Sequence, residues 1–142
     1  MTIATILGGN DRQLISTTAD VSVRDAVALL AEKRIGAVPV MDGADVVGVF
    51  SERDVIHALA AQGAAALNAT VGEIMTSPAI TVSPSEAAIG ALSLMTRRRI
   101  RHLPVLDQGQ VVGIVSIGDL VKYRIDRIEA DAEAMRSYIQ QA

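Results

Sequence analysis

Along this chain, short aliphatic runs broken by polar turns alternate with stretches whose apolar residues recur every three or four positions. Val23, Ala26, Val27 and Leu30 form one helical stripe, and Ala88, Ala91, Leu92 and Met95 form another. Ala37–Met41 and Val46–Phe50 flank the polar sequence Asp42-Gly43-Ala44-Asp45, which predicts a hairpin; Asp107-Gln108-Gly109-Gln110 predicts a second. Ser83-Pro84-Ser85-Glu86 supplies a capping residue, a proline and an acid, and so predicts a helix start ahead of the second stripe. Ser51-Glu52-Arg53-Asp54 and Ser116-Ile117-Gly118-Asp119 open a helix after each hairpin.

These elements repeat. Ile35-Gly36-Ala37-Val38-Pro39-Val40-Met41-Asp42 returns 65 residues later as Ile100-Arg101-His102-Leu103-Pro104-Val105-Leu106-Asp107. At the same offset, Val46–Ser51 returns as Val111–Ser116, and Asp54 as Asp119. The chain reads as two copies of a strand–helix–strand–strand–helix unit joined by the Ala-rich segment Ala61–Ala69. A unit of about 50 residues buries too little surface to be comfortable alone. Two copies packed sheet to sheet about an approximate two-fold axis would share a core, and crevices along that axis would occur as a related pair.

Composition narrows the function classes. Thirteen Lys and Arg against sixteen Asp and Glu leave a charge of −3, which argues against a nucleic-acid backbone as partner. Phe50, Tyr123 and Tyr138 are the only aromatics, too few for a base-stacking platform. The absence of cysteine excludes disulfides, thiolate catalysis and cysteine-based zinc sites. No apolar run approaches the ~18 residues of a membrane span, and no secretory signal is legible, so a cytoplasmic protein is expected.

The Ser51/Asp54 and Ser116/Asp119 pairs each follow a strand-ending glycine by three residues. Taken singly, each is a helix cap with a carboxylate in the first turn. Occurring twice in register, the pairs also suit a ligand, with Asp accepting from a sugar diol and Ser and the helix N-terminus left for phosphate. In Arg97-Arg98-Arg99-Ile100-Arg101-His102, the first two arginines read as a solvated helix end. Arg101 and His102 instead fall where the first copy has Gly36 and Ala37, inside the inferred crevice, and suit phosphate. Two histidines make no metal site, no Ser/His/Asp triad is legible, and Asp119 stands where a phosphate loop needs Lys. No enzymatic activity is expected.

These residues carry a family resemblance. The duplicated Arg-Ile-x-x-Leu/Val-Pro-Val and Gly-aliphatic-x-Ser-x-x-Asp marks, with Ile74-Met75-Thr76 introducing the second copy, resemble a stand-alone pair of cystathionine-β-synthase (CBS) domains, or Bateman module, of small bacterial type. The resemblance runs from about Thr5 to Ile125. It implies an α/β (α+β) fold of two pseudo-symmetric β-α-β-β-α repeats packed sheet to sheet with an extended C-terminal helix. The repeats would be residues 1–68 and 69–142, the second carrying the helical tail.

The resemblance further implies a non-enzymatic regulatory module that binds AMP, ADP, ATP or NAD(H) between the repeats and signals energy or redox state to an unknown partner. An interaction protein with degenerate pockets is the alternative. By the motif, Asp54 and Asp119 would take ribose, and Ser51, Ser116, Arg101 and His102 phosphate. Adenine would lie near Ile35, Gly36, Ala37 and Val49 in one site, and near Ile100 and Ile114 in the other. Thr76 is expected to be lent across the repeats. No catalytic cofactor, metal or membrane is implied.

From Asp119 onward no Gly or Pro interrupts the chain, so a helix is predicted to run to about Gln140. Val121, Ile125, Ile128, Ala132, Met135 and Ile139 alternate in steps of four and three, a heptad seam with no counterpart in the first repeat beyond its first turn. A homodimer clasped by this tail is expected.

Overall fold

The computed structural model describes residues 1–8 and 14–141. The elements follow in the order α1 (Ile3–Leu7), β1 (Thr17–Thr18), α2 (Val23–Lys33), β2 (Ala37–Asp42), β3 (Asp45–Ser51) and α3 (Glu52–Gln62). A 3-10 turn (Gly63–Asn68) and α4 (Val71–Ile74) lead to α5 (Ala88–Arg98), β4 (His102–Asp107), β5 (Gln110–Ser116) and α6 (Ile117–Gln141).

The repeat is conserved down to strand register. β2 pairs antiparallel with β3 and β4 with β5, with Ala37 opposite Ser51 in one hairpin and His102 opposite Ser116 in the other. Each pairing slips at the same place, after Val40 and after Val105. The tight turns differ. Gly43 alone has positive φ in the first, whereas Gln108 and Gly109 both do in the second, and either backbone suits the right-handed twist of the flanking strands. The leading strand also differs. β1 runs parallel to β2 with Thr17 beside Val40, but its counterpart is reduced to a single bridge between Val82 and Val105.

Each unit has its own core. Val23, Ala26, Leu30, Val38, Val40 and Phe50 fill the first, and Val82, Ala88, Ala91, Met95, Leu103, Val105, Val115 and Leu120 the second. The predicted stripes of α2 and α5 supply one wall of each. Burial of a Phe50-sized side chain contributes about 1.5–3 kcal/mol, and Phe50 is fully enclosed.

Two short segments cross between units. α4 docks on the first core, where Val71 is fully buried, Val71 N donates to Val21 O and Gly72 N to Ala19 O. α1 docks on the second core through Ile3, whose N–H donates to Glu86 O. The chain halves thus exchange their leading segments, and β3 and β5 meet between them.

This exchange corrects the predicted start of α5. Ser83 and Glu86 close their own turn, with Ser83 N donating to Glu86 Oε2 at 2.6 Å, and the helix begins later at Ala88. Its N-cap, Ala87, has no side-chain oxygen to offer. Instead, Ala88 N donates to Met1 O at 3.0 Å, so the N-terminal segment satisfies one of the amides that a helix start leaves without an intrahelical partner.

Candidate ligand site between the repeats

Strand β5 ends at Ser116 and α6 begins at Ile117, so the Ser116/Asp119 pair sits where a strand turns directly into a helix. Asp119 Oδ2 accepts from Ser116 N at 3.0 Å, and Ser116 Oγ accepts from Asp119 N at 3.1 Å. The pair is therefore a reciprocal helix cap. That consumes only one carboxylate oxygen. Asp119 Oδ1 accepts no hydrogen bond from the described residues and remains available as a strong acceptor.

The first copy shares the cap and differs at that oxygen. Asp54 Oδ2 accepts from Ser51 N at 2.9 Å, and Asp54 N donates to Ser51 Oγ at 3.4 Å. Asp54 Oδ1, however, accepts from the Thr76 hydroxyl at 2.9 Å. Thr76 is held there by backbone pairing, since Val49 N donates to Thr76 O and Thr76 N to Val49 O, each at 2.9 Å. Gly48 permits this approach; a Cβ at that position would stand 2.8 Å from Thr76 O and Met75 Sδ. At the matching place beside Gly113 lies the Leu7 side chain of α1, and the residue that follows is Gly8, which has no hydroxyl.

A crevice of about 780 Å³ opens on the Asp119 side, a size that suits a nucleotide-scale ligand. Ile35, Gly36 and Ala37 of the first unit face Ile114, Ser116, Asp119 and His102 of the second across it, and Leu7, Gly8 and Arg34 complete the rim. Seven of the residues expected from the sequence thus come together, but in a crossed arrangement, with Ile35–Ala37 of the first repeat set against the acid, Ile114 and His102 of the second. Ser51, Asp54, Thr76, Val49, Ile100 and Arg101 are not part of this wall. Arg101 is exposed, and its carbonyl accepts from Ile117 N, anchoring the start of α6.

Gly36 keeps the crevice open. A Cβ there would lie 3.0 Å from Glu52 Oε1 and 3.4 Å from His102 Nε2. Burial lowers the pKa of His102 below the ordinary histidine value. The Glu52 and Asp119 carboxylates oppose that shift, and Arg101 reinforces it. The imidazole is accordingly neutral at pH 7, able to donate one hydrogen bond to an anion or to accept a proton when one arrives.

Arg34, the Arg of the first Arg-Ile-x-x-Leu/Val-Pro-Val mark, is a crevice residue that the sequence did not single out. It ends α2 in the left-handed conformation with φ 55°, as Arg99 ends α5, and it lines the crevice while Arg99 does not. The 65-residue offset pairs these arginines, and that pairing was the available signal. The contribution of α1 carried almost none, because Ile6-Leu7-Gly8 matches Ile74-Met75-Thr76 only in its apolar positions.

The family model for the CBS domain matches residues 10–61 and again 71–126. The mitochondrial CBS domain-containing protein CBSX3 of Arabidopsis thaliana is 34% identical over 87% of this chain, which spans 62% of that protein's length. A solved CBS-domain protein from Burkholderia ambifaria superposes with a TM-score of 0.83 at 43% identity, covering 89% of this chain and 95% of its own. Another, PAE2072 from Pyrobaculum aerophilum, was solved in complex with AMP. It gives a TM-score of 0.74 at 29% identity over 84% of this chain and 89% of its own. With its duplicated register, its paired Ser-x-x-Asp caps and these matches, the chain belongs to the CBS-domain family.

Proposed function

We propose that this protein is a non-catalytic adenosine-nucleotide sensor of the cytoplasm whose principal site is the Asp119 crevice. The observation that carries this reading is that Asp119, whose Oδ1 is left over from the helix cap, lines a nucleotide-sized space shared by both repeats. A ribose diol donates two hydrogen bonds and matches it. Ile35, Ala37 and Ile114 offer the apolar wall an adenine requires. His102, Ser116 and Arg34 supply donors for phosphate, since the Ser116 hydroxyl can still donate while its oxygen accepts from Asp119 N.

The AMP complex of PAE2072 supports AMP as the first ligand to try; ATP and NAD(H) carry the same adenosine phosphate. Ligand binding would tighten or loosen the contact between repeats and so alter what the module presents to a regulated partner. A narrower reading applies to the first copy alone, where Thr76 already occupies Asp54 Oδ1 and the pocket is degenerate.

Thermal shift against AMP, ATP, NADH and adenosine tests the function, because a ligand of the native state raises the unfolding midpoint. Stabilisation by AMP or NADH in a dose-dependent manner is expected. No shift with any of the four at millimolar concentration would leave the pockets vestigial and favour a pure interaction protein.

A further inference from the structure

The last two-thirds of α6 leave the globular body. Leu120 is 2% exposed and Tyr123 packs on the second core, whereas Ile125, Ile128, Met135 and Ile139 are each about half exposed or more. A helix turns about 100° per residue, so the seam Val121, Ile125, Ile128, Ala132, Met135, Ile139 lies on a different face from Leu120 and Tyr123 and points away from the chain's own core. Four large apolar side chains on one stripe are costly to leave in water.

The charges beside the seam identify what covers it. With Ile125, Ala132 and Ile139 at heptad position a and Val121, Ile128 and Met135 at d, the g positions carry Arg124, Asp131 and the uncharged Tyr138, and the e positions carry Lys122, Glu129 and Arg136. We propose that α6 pairs with α6 of a second copy as a parallel, in-register coiled coil. In that arrangement each g residue meets the e residue five positions on in the other chain. Arg124 then faces Glu129 and Asp131 faces Arg136, so both contacts are opposite in sign and each occurs twice by symmetry. An antiparallel pair covering all six apolar positions would set Glu129 against Glu129 and Lys122 against Arg136. Sliding it by one heptad relieves the repulsion but leaves Met135 and Ile139 uncovered. Parallel pairing alone satisfies both the apolar seam and the charges, and it places the two globular bodies side by side at one end.

This goes beyond ligand binding and does not depend on it. The test uses the full-length chain, in which cysteine is absent, so Ile139→Cys introduces the only thiol. Parallel in-register pairing brings that position against its own copy, and mild oxidation should give near-complete disulfide-linked dimer. In sedimentation equilibrium, Arg124→Glu should raise the dimer dissociation constant at least tenfold, and adding Glu129→Arg should restore it. An unchanged unfolding midpoint by circular dichroism, measured at a concentration low enough for every variant to be monomeric, confirms that these exposed substitutions leave the fold intact. A monomeric full-length chain, a dimer that does not cross-link, or charge reversals without effect on association would each overturn the proposal.

Discussion

The hydroxyl of Thr76 donates to Asp54 Oδ1 at 2.9 Å, while the equivalent oxygen of Asp119 accepts nothing from the described residues. The two copies of one duplicated motif are therefore unequal. On the proposed reading, a ribose at Asp54 would compete with the Thr76 hydroxyl for Oδ1, whereas at Asp119 it would meet no such competitor among the described residues.

Removing that latch should equalise the sites. A hydrogen bond to a charged acceptor contributes roughly 1.5–3 kcal/mol, so Thr76→Val should improve AMP binding at the first site by about ten- to a hundred-fold. Calorimetry should then resolve two sites per chain in place of one. An unchanged stoichiometry would mean that Thr76 does not gate the pocket.

Phosphate recognition should separate two arginines. Arg34 lines the crevice and Arg101 does not. Arg34→Ala should weaken AMP binding by about tenfold and leave adenosine binding nearly unchanged, while Arg101→Ala should alter both by much less. Titrating each variant with both ligands decides this, because adenosine keeps base and ribose but lacks phosphate.

His102 makes a pH prediction whose sign follows from its burial. Its folded-state pKa lies below the ordinary 6.5, so between those values the unfolded chain binds more protons. Its contribution to stability is complete above pH 6.5 and is lost as the pH falls toward the folded value. Urea midpoints of the wild type should fall more between pH 7.5 and 5.5 than those of His102→Gln. A phosphate beside the imidazole should raise its pKa. AMP binding near pH 7 should therefore take up a fraction of a proton, seen as a buffer-dependent heat, and adenosine should not.

The exchanged segments make a structural prediction. A methyl at Gly48 would meet backbone, Thr76 O at 2.8 Å, whereas one at Gly113 would meet only the flexible end of Leu7 at 3.0 Å. Gly48→Ala should cost about 1–3 kcal/mol of stability, as overpacking does, and Gly113→Ala distinctly less. Chemical denaturation of the two variants measures the difference.

Periodicity and repetition made much of this architecture legible. The 65-residue offset carried the hairpins and both Ser-x-x-Asp caps, because hairpin turns and capping are local consequences of local sequence, while the shared slip after Val40 and Val105 came only with the structure. The tail seam was legible for the same reason, and its outward orientation follows from Leu120 and Tyr123 claiming the other face. Long-range choices were less visible. Nothing local says that Val71 serves the first core and Ile3 the second, since either is simply an apolar residue in a short segment. The late start of α5 goes with that exchange, because Ser83 and Glu86 close their own turn and the first helical amide, Ala88 N, finds Met1 O. Arg34 opens the Arg-Ile-x-x-Leu/Val-Pro-Val mark, but its place on the crevice depends on a left-handed helix end and on the opposite repeat, which the motif does not show.

The most direct test is calorimetric titration of AMP into the wild type and into Asp119→Asn, which keeps the side-chain size and removes the charge. The account predicts one dominant site per wild-type chain and a loss of about ten- to a hundred-fold in affinity in the variant, with the unfolding midpoint little changed. Equal affinity in the two proteins would contradict the assignment of Asp119 Oδ1 to the ligand and, with it, the claim that the leftover oxygen of a helix cap is what this protein uses to recognise a nucleotide.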